Sequence, residues 1–263
     1  MKKYIFILDL DSTIIGNCSY QSKMFEYGIT LKNYNKNINI NKILSPYYDA
    51  TKSLLIRPYF IYFINKMKEI YKDNVLFYIY TASTTNWANF QIKLIEKNNN
   101  IKFNRPIFTR KNCLYDNINN NFVKKIEPIL NKIKSKSKDY DIIIIDDNDV
   151  YLDFTNTHIK CKSYNFISYC DFEPVLNNLP QHMQTDLLNA FKCPINNIDV
   201  CNIKNKIKIY KWLYNKCKFI YTKNKIYEKD KFWLYLSNII EANKITDFND
   251  NIIKQLTILS NKF

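Results

Sequence analysis

The sequence predicts an α/β fold, a parallel sheet flanked by helices, with a mostly helical C-terminal extension. Three observations predict it. The apolar runs "IFIL" (5–8), "VLFYIY" (75–80) and "IIII" (142–145) are continuous, as strands buried on both faces are. Segments with helical spacing of apolar residues stand between them. Oxygen-bearing residues close each run: Asp9 and Asp11, Thr81, and Asp146 with Asp147. In sheets of this kind functional groups gather at the carboxyl ends of the strands.

The first strand ends at "LDLDST", which places Asp9 and Asp11 beyond Leu8 and Thr13 just after them. The opening "MKKYIFILDL" is read as a strand and not as a leader peptide, because Asp9 interrupts the apolar run and no small-residue cleavage site follows. Residues 17–56 are polar and Asn-rich, an expected insertion. Arg57-Pro58 opens a helix carrying Phe60, Phe63, Ile64, Met67 and Ile70. "NVLFYIYTAS" is the second strand, and "TTNWANFQIKLIEK" a helix capped by Ser83 or Thr84. "KFNRPIFTR" is expected as a short third strand. A helix around "FVKKIEPILNKIKS" is expected to carry Lys124 and Lys125. "DYDIIIIDDND" is the last strand.

Beyond residue 182 the segments "QHMQTDLLNAF", "KIYKWLYNKCKFIY" and "KDKFWLYLSNIIEAN" read as helices. The middle one places Tyr210, Leu213, Tyr214, Cys217 and Tyr221 along one side. The preceding "KIKIYKW" alternates as a strand would, so both readings stand there. The expected organisation is a domain over 1–182 and a basic, mostly helical region over 183–263.

Composition narrows the function. The chain has 263 residues and a net charge of +15. Residues 204–231 hold ten lysines against Glu228 and Asp230, interleaved with aromatic residues. Such a surface fits nucleic acid or an acidic partner; a packed helical appendage with solvated lysines is the reading favoured, because amphipathic packing explains the aromatics without a ligand. No apolar run reaches the roughly 18 residues of a membrane span, so no membrane role is expected. Seven scattered cysteines without a CxxC pair, and only His158 and His182, argue against zinc and for an intracellular, reducing compartment.

Several carboxylates in one crevice repel one another unless a cation lies between them. Hard oxygen donors select Mg²⁺, which also bridges to phosphate. Asp9 could then serve as a nucleophile, since carboxylates form covalent phosphoryl intermediates. Asp11 could act as general acid and then base. Thr81 could hold phosphoryl oxygens, and Lys124 or Lys125 could offset the charge. Each residue alone has an ordinary reading as a turn, cap or solvated side chain; the set, in this order and at these strand ends, does not.

With "ILDLDST", "FYIYTAS", a lysine near "FVK" and "IIIIDDN", the chain resembles the haloacid-dehalogenase-like phosphatases, whose sheet is Rossmann-like. It is most similar to the phosphatases of the RNA polymerase II carboxy-terminal domain. Arg57-Pro58, "YTASTTNWA", Arg110 with Cys113, "NTHIKCKSYN" and "DFEPVLNNLP" extend the resemblance over about 1–182. The resemblance implies Asp9 as nucleophile, Asp11 as acid/base, Thr81 as phosphoryl ligand and Lys124 as bridge between nucleophile and phosphate. It implies Mg²⁺ held by Asp9, the Asp11 carbonyl and Asp147, with Asp146 in support, and substrate contacts from Arg110 and Thr13. The implied substrate is a phosphoserine or phosphothreonine in a flexible peptide, such as the polymerase tail. Phosphorylated nucleic-acid ends or small esters are the alternative, and a non-catalytic binding module is a third reading. Ser12, Gly16 and Tyr59 depart from the family's usual residues, and the spacer from Cys113 to Lys124 is irregular.

Overall fold

The computed structural model describes residues 2–18, 22, 25–26, 29, 55–133, 140–167, 181–190, 193 and 202–262. Most of the expected insertion, and "DFEPVLNNLP", lie outside the described residues.

The three apolar runs form strands, as expected. β1 (Lys3–Leu8) lies between β2 (Val75–Ile79) and β5 (Tyr140–Asp146), and all pairings are parallel. A fourth strand, β6 (His158–Lys160), extends the order to β2-β1-β5-β6. It was not expected, because three residues are too few for a periodic signal. β1 is central, and Ile5, Phe6, Ile7 and Leu8 are all fully buried.

The pleat sends alternate residues to opposite faces. On one face, Phe6 and Phe77 meet Phe63 of helix α1 (Phe60–Tyr71). On the other, Ile5, Ile7, Ile142 and Ile144 pack with Tyr78, Tyr80, Phe108, Ile129 and Leu130. Helix α2 (Thr85–Asn99) follows β2; Thr84 stands at its N-cap without a side-chain capping bond. At the entry to α1, Tyr59 holds the left-handed conformation, with φ 64. A non-glycine residue adopts this at a cost of roughly 1–2 kcal/mol.

The expected strand over 102–110 reduces to one bridge, Tyr80 to Phe108. Pro106 has no N–H to give to a ladder. Asn104 supplies the rest: its N–H donates to the Phe77 carbonyl (2.7 Å) and its Oδ1 accepts from the Phe77 N–H (2.8 Å).

The helix expected around 122–135 is also shorter. Strands β3 (Leu114–Asp116) and β4 (Asn121–Val123) form an antiparallel hairpin, and α3 spans only Glu127–Lys132. Lys124 is therefore not on a helix. Its N–H donates to the Val150 carbonyl, and its carbonyl accepts from the Leu152 N–H. Pro128 suits the first turn of α3. The Asp153 carboxylate accepts from the Ile126 and Glu127 N–H groups there, a cap that sequence spacing cannot show.

The C-terminal segments are helical: α4 (Gln181–Ala190), α5 (Ile203–Asn224), α6 (Phe232–Ala242) and α7 (Asp250–Ser260). The ambiguous "KIKIYKW" is thus helical. On α5 the buried side is marked by Ile209, Ile220 and Asn224, while Tyr214 is exposed. Of the other residues in the expected stripe, Tyr210 is half-buried, and the Leu213, Cys217 and Tyr221 side chains lie outside those described.

Two compact units divide the chain. One comprises Met1–Gly16, Ala50–Phe166 and Tyr227–Phe263; the other comprises Asn17–Asp49 and Ile167–Ile226. In the first, Trp233 of α6 is fully buried against Phe60 (5.2 Å) and Phe63 (4.7 Å). Arg57, 1% exposed, forms a bidentate pair with Asp230 at 3.0 and 2.9 Å. Its guanidinium lies 4.6 Å from the Phe232 ring centroid. In the second unit, the Asn224 side chain bonds both the N–H and the carbonyl of Ile167.

Candidate active site

Asp9 leaves β1 with its backbone still tied to the sheet, its N–H on the Ile145 carbonyl. Its neighbours in sequence are apolar, so the carboxylate is carried into a buried position at 5% exposure. Lys124, 2% exposed, answers it. The Lys124 Nζ donates to Asp9 Oδ1 at 2.6 Å and to Asp146 Oδ2 at 2.7 Å. Tyr80 and Tyr151 flank the ammonium, each ring centroid 5.4 Å away.

Asp146 and Asp147 are adjacent but do different things. Asp146 closes β5 and is saturated: it accepts from Lys124, from the Tyr151 hydroxyl (2.9 Å) and from the Asn148 N–H (2.8 Å). Asp147 accepts from the hydroxyls of Thr13 (3.2 Å) and Ser163 (2.5 Å), and from Asn148 Nδ2 (3.0 Å). The Asp147 N–H in turn donates to Thr13 Oγ1. Thr13 thus orients Asp147 and is itself fully buried.

Asp11 points to the loop after β2. Its Oδ2 accepts from Ser83 Oγ at 2.5 Å and lies 3.4 Å from Thr81 Oγ1. Thr81 Oγ1 accepts from the Ser83 N–H, which fixes the hydroxyl within the loop. Arg110 donates through Nε to the Ala82 carbonyl, beside the same loop.

Burial governs the protonation of the set. It pushes the Asp9 carboxyl well above the usual range, with Asp146 adding to the rise and Lys124 opposing it. It pushes Asp11 up against the stabilising bonds from Ser83, Trp87 and Thr81. Asp147 rises for the same reason, with Ser163 opposing. Burial would lower Lys124, but Asp146 and Asp9 override it and the amine stays protonated.

Carboxylate oxygens of Asp9, Asp146 and Asp147 lie within 4.8 Å of one another. The donors are all hard oxygens, and one lysine faces four carboxylates counting Asp11. Such a set fits a hard divalent cation. Asp146 is committed to Lys124 and Tyr151, so Asp9 and Asp147 are the better placed of the three to hold it. Thr13, Ser163 and Asn148 would orient Asp147 as outer partners.

All eight residues singled out in the sequence are thus located. Asp9, Asp146 and Lys124 touch directly, as do Thr13 with Asp147 and Thr81 with Asp11; Arg110 is linked through Ala82. Sequence reasoning missed Tyr151, Ser83 and Ser163. None stands in a motif of its own, although Ser83 lies in "TAS".

Residues 4–186 match the family model of NLI interacting factor-like phosphatases. The chain belongs to that family. As an NLI interacting factor-like phosphatase it is a hydrolase of phosphoric monoesters with the haloacid-dehalogenase-type fold, which bears out the resemblance drawn from "ILDLDST" and "IIIIDDN". Phosphatases of this kind use a divalent metal, and the carboxylate cluster is where this one would hold it. Among solved structures, the fission yeast RNA polymerase II CTD phosphatase Fcp1 bound to beryllium fluoride is similar at 15% identity, with a TM-score of 0.40, over 96% of this chain and 70% of that one. No curated protein sequence matches the chain. Among the described residues no helix is long and apolar enough to cross a membrane.

Proposed function

We propose that this phosphatase removes phosphate from serine or threonine in a flexible protein segment, of the kind found in the polymerase tail, through a covalent phosphate on Asp9. The observation that carries the reading is the Lys124 bridge. A buried ammonium at 2.6 Å holds Asp9 in one orientation and would meet the incoming phosphoryl oxygens. Asp11 sits apart from that bridge, raised by burial and bonded to hydroxyls, which suits a carboxyl that gives a proton to the leaving oxygen and later takes one from water. Thr81, beside Asp11, is placed to receive phosphoryl oxygens, with Arg110 and Thr13 as further contacts. Mg²⁺ on Asp9, the Asp11 carbonyl and Asp147 would neutralise phosphate charge.

Phosphorylated nucleic-acid ends or small esters remain the second reading, favoured by the lysines of 204–231. That stretch is proposed to engage nucleic acid or another anionic partner. The described cysteines 18, 113, 161 and 193 are free thiols, which supports a reducing intracellular compartment.

The test is hydrolysis of phosphopeptides, end-phosphorylated oligonucleotides and small aryl phosphates. Chelation should abolish turnover and Mg²⁺ restore it, with Ca²⁺ a poor substitute. Asp9→Asn should eliminate turnover. Asp11→Asn should cost about 10²–10⁴-fold with unactivated esters and less with an activated aryl phosphate. Full activity in excess chelator, or equal loss with both ester types in Asp11→Asn, refutes the assignment.

A further inference from the structure

The β3–β4 hairpin lies between Cys113 and Lys124, in the spacer whose sequence is irregular. Its residues are not those of a solvated loop. Leu114, Tyr115 and Ile118 are 48%, 52% and 90% exposed. The Tyr115 and Phe122 rings, paired across the strands, meet edge-on at 5.1 Å, and the Arg110 guanidinium lies 5.0 Å from the Phe122 ring. Arg110, Phe122 and Tyr115 therefore form one continuous row.

That row begins at the phosphoryl-binding loop. The Arg110 side chain donates to the Ala82 carbonyl at 2.7 Å, and its N–H donates to the Ser83 carbonyl. The Tyr80 hydroxyl donates to the Asn112 carbonyl and accepts from the Lys125 N–H, which ties down both ends of the hairpin. The turn is self-contained. Asp116 accepts from the Ile118 N–H, the Asn119 N–H and Asn119 Nδ2, and Asn120 takes a left-handed φ of 51 that asparagine tolerates. The hairpin is thus held by its own bonds and by the loop, while Leu114, Tyr115 and Ile118 stay exposed and Phe122 is half-buried.

We infer that Arg110 and the hairpin face bearing Tyr115 and Phe122 form a subsite for an apolar or aromatic side chain next to the phosphorylated residue of a peptide. The inference rests on the phosphopeptide reading above. A peptide is favoured over a nucleic acid because no lysine or arginine lies between Lys111 and Lys124 to follow a phosphate backbone. The polar end of the row, Arg110, has donors left for a peptide carbonyl, and the apolar end accepts a ring or branched chain.

The experiment compares two phosphoserine peptides that differ only at the flanking positions, leucine or tyrosine against glycine, with an end-phosphorylated oligonucleotide alongside. Each enzyme form is normalised to its own turnover of a small aryl phosphate. The native enzyme is expected to prefer the apolar-flanked peptide by about five- to tenfold in kcat/KM, carried by KM, as burial of one side chain would give. Tyr115→Ala should lose most of that preference, whereas Ile118→Ser, in the turn outside the row, should keep it; both side chains are exposed, so the fold should stand. Equal kcat/KM for the two peptides, or a preference that survives Tyr115→Ala, overturns the subsite while leaving the phosphopeptide reading intact. Turnover of the oligonucleotide with neither peptide hydrolysed overturns both.

Discussion

Cys161 lies under the candidate site, its Sγ 3.8 Å from the Thr13 hydroxyl that orients Asp147. Burial pushes its thiol up to about 12, with Arg57 opposing. Since the folded value lies above the ordinary 9.0, the fold accepts the neutral thiol. The stability linked to it is complete below the unfolded value and is lost as pH rises from there toward the folded one. Native Cys161 should therefore resist alkylation by iodoacetamide at pH 8, while the urea-unfolded chain labels fully. Cys161→Ala should flatten the alkaline fall in melting temperature. Labelling of the native thiol at the rate of a free one would contradict this. Gly16 has a different logic. A Cβ there would lie 2.1 Å from the Phe166 carbonyl oxygen, so only glycine permits this approach.

At the scale of elements, α5 departs most from an ordinary surface helix. Between Ile203 and Tyr227 the sequence has lysines and no acidic residue. Lys204, Lys208, Lys211 and Lys218 are exposed, as are Ile207 and Tyr214. Like charges four apart destabilise a helix, and no carboxylate within the helix relieves them. An anionic partner would. Replacing Lys211 and Lys218 by glutamine should weaken binding of a single-stranded oligonucleotide and lower the slope of log K against log salt by about 1.5. Unchanged affinity and slope for both the oligonucleotide and an acidic peptide would leave α5 as a packed helix with solvated lysines. The hairpin β3–β4 and the shortened α3 teach a related point. Asn-rich "NINNN" reads locally as an irregular spacer, yet cross-strand pairing makes it the turn that delivers Lys124 in extended form.

At the scale of the molecule, the family match ends at residue 186 but the sheet domain does not. Tyr227–Phe263 returns to it. The Asp141 carboxylate receives the Phe248 N–H, Asn261 bonds the Lys160 carbonyl, and the Tyr71 hydroxyl donates to the Ile245 carbonyl. Arg57 would be left as a buried unpaired charge without Asp230. Asp230→Ala should therefore cost about 3–5 kcal/mol, or roughly 10 °C in melting temperature. Small aryl phosphate turnover well below that temperature should be retained, since Asp230 touches none of the carboxylates. Removing 227–263 altogether should yield insoluble protein, as Phe60 and Phe63 lose Trp233. A soluble truncation with native melting behaviour would contradict the packing described.

The sequence by itself determined the three long strands, because continuous isoleucine, leucine and phenylalanine runs have no stable place outside a covered sheet. It also determined the candidate carboxylates, because aspartate at the end of such a run is costly enough to need a reason. It placed Asp9, Asp11, Thr81, Lys124, Asp146 and Asp147 at strand ends or beside motifs, but not in mutual contact. Only the tertiary structure decided that Lys124 joins Asp9 to Asp146, that Tyr151 and Ser163 hold the two aspartates of "DD" in separate roles, and that Asp230 answers Arg57. Those contacts join residues from 5 positions apart, Tyr151 with Asp146, to 173 apart, Arg57 with Asp230. Local periodicity carries no information about them; buried charges acquire their partners through the packing of the sheet, which brings the strand ends and the returning C-terminal segment together.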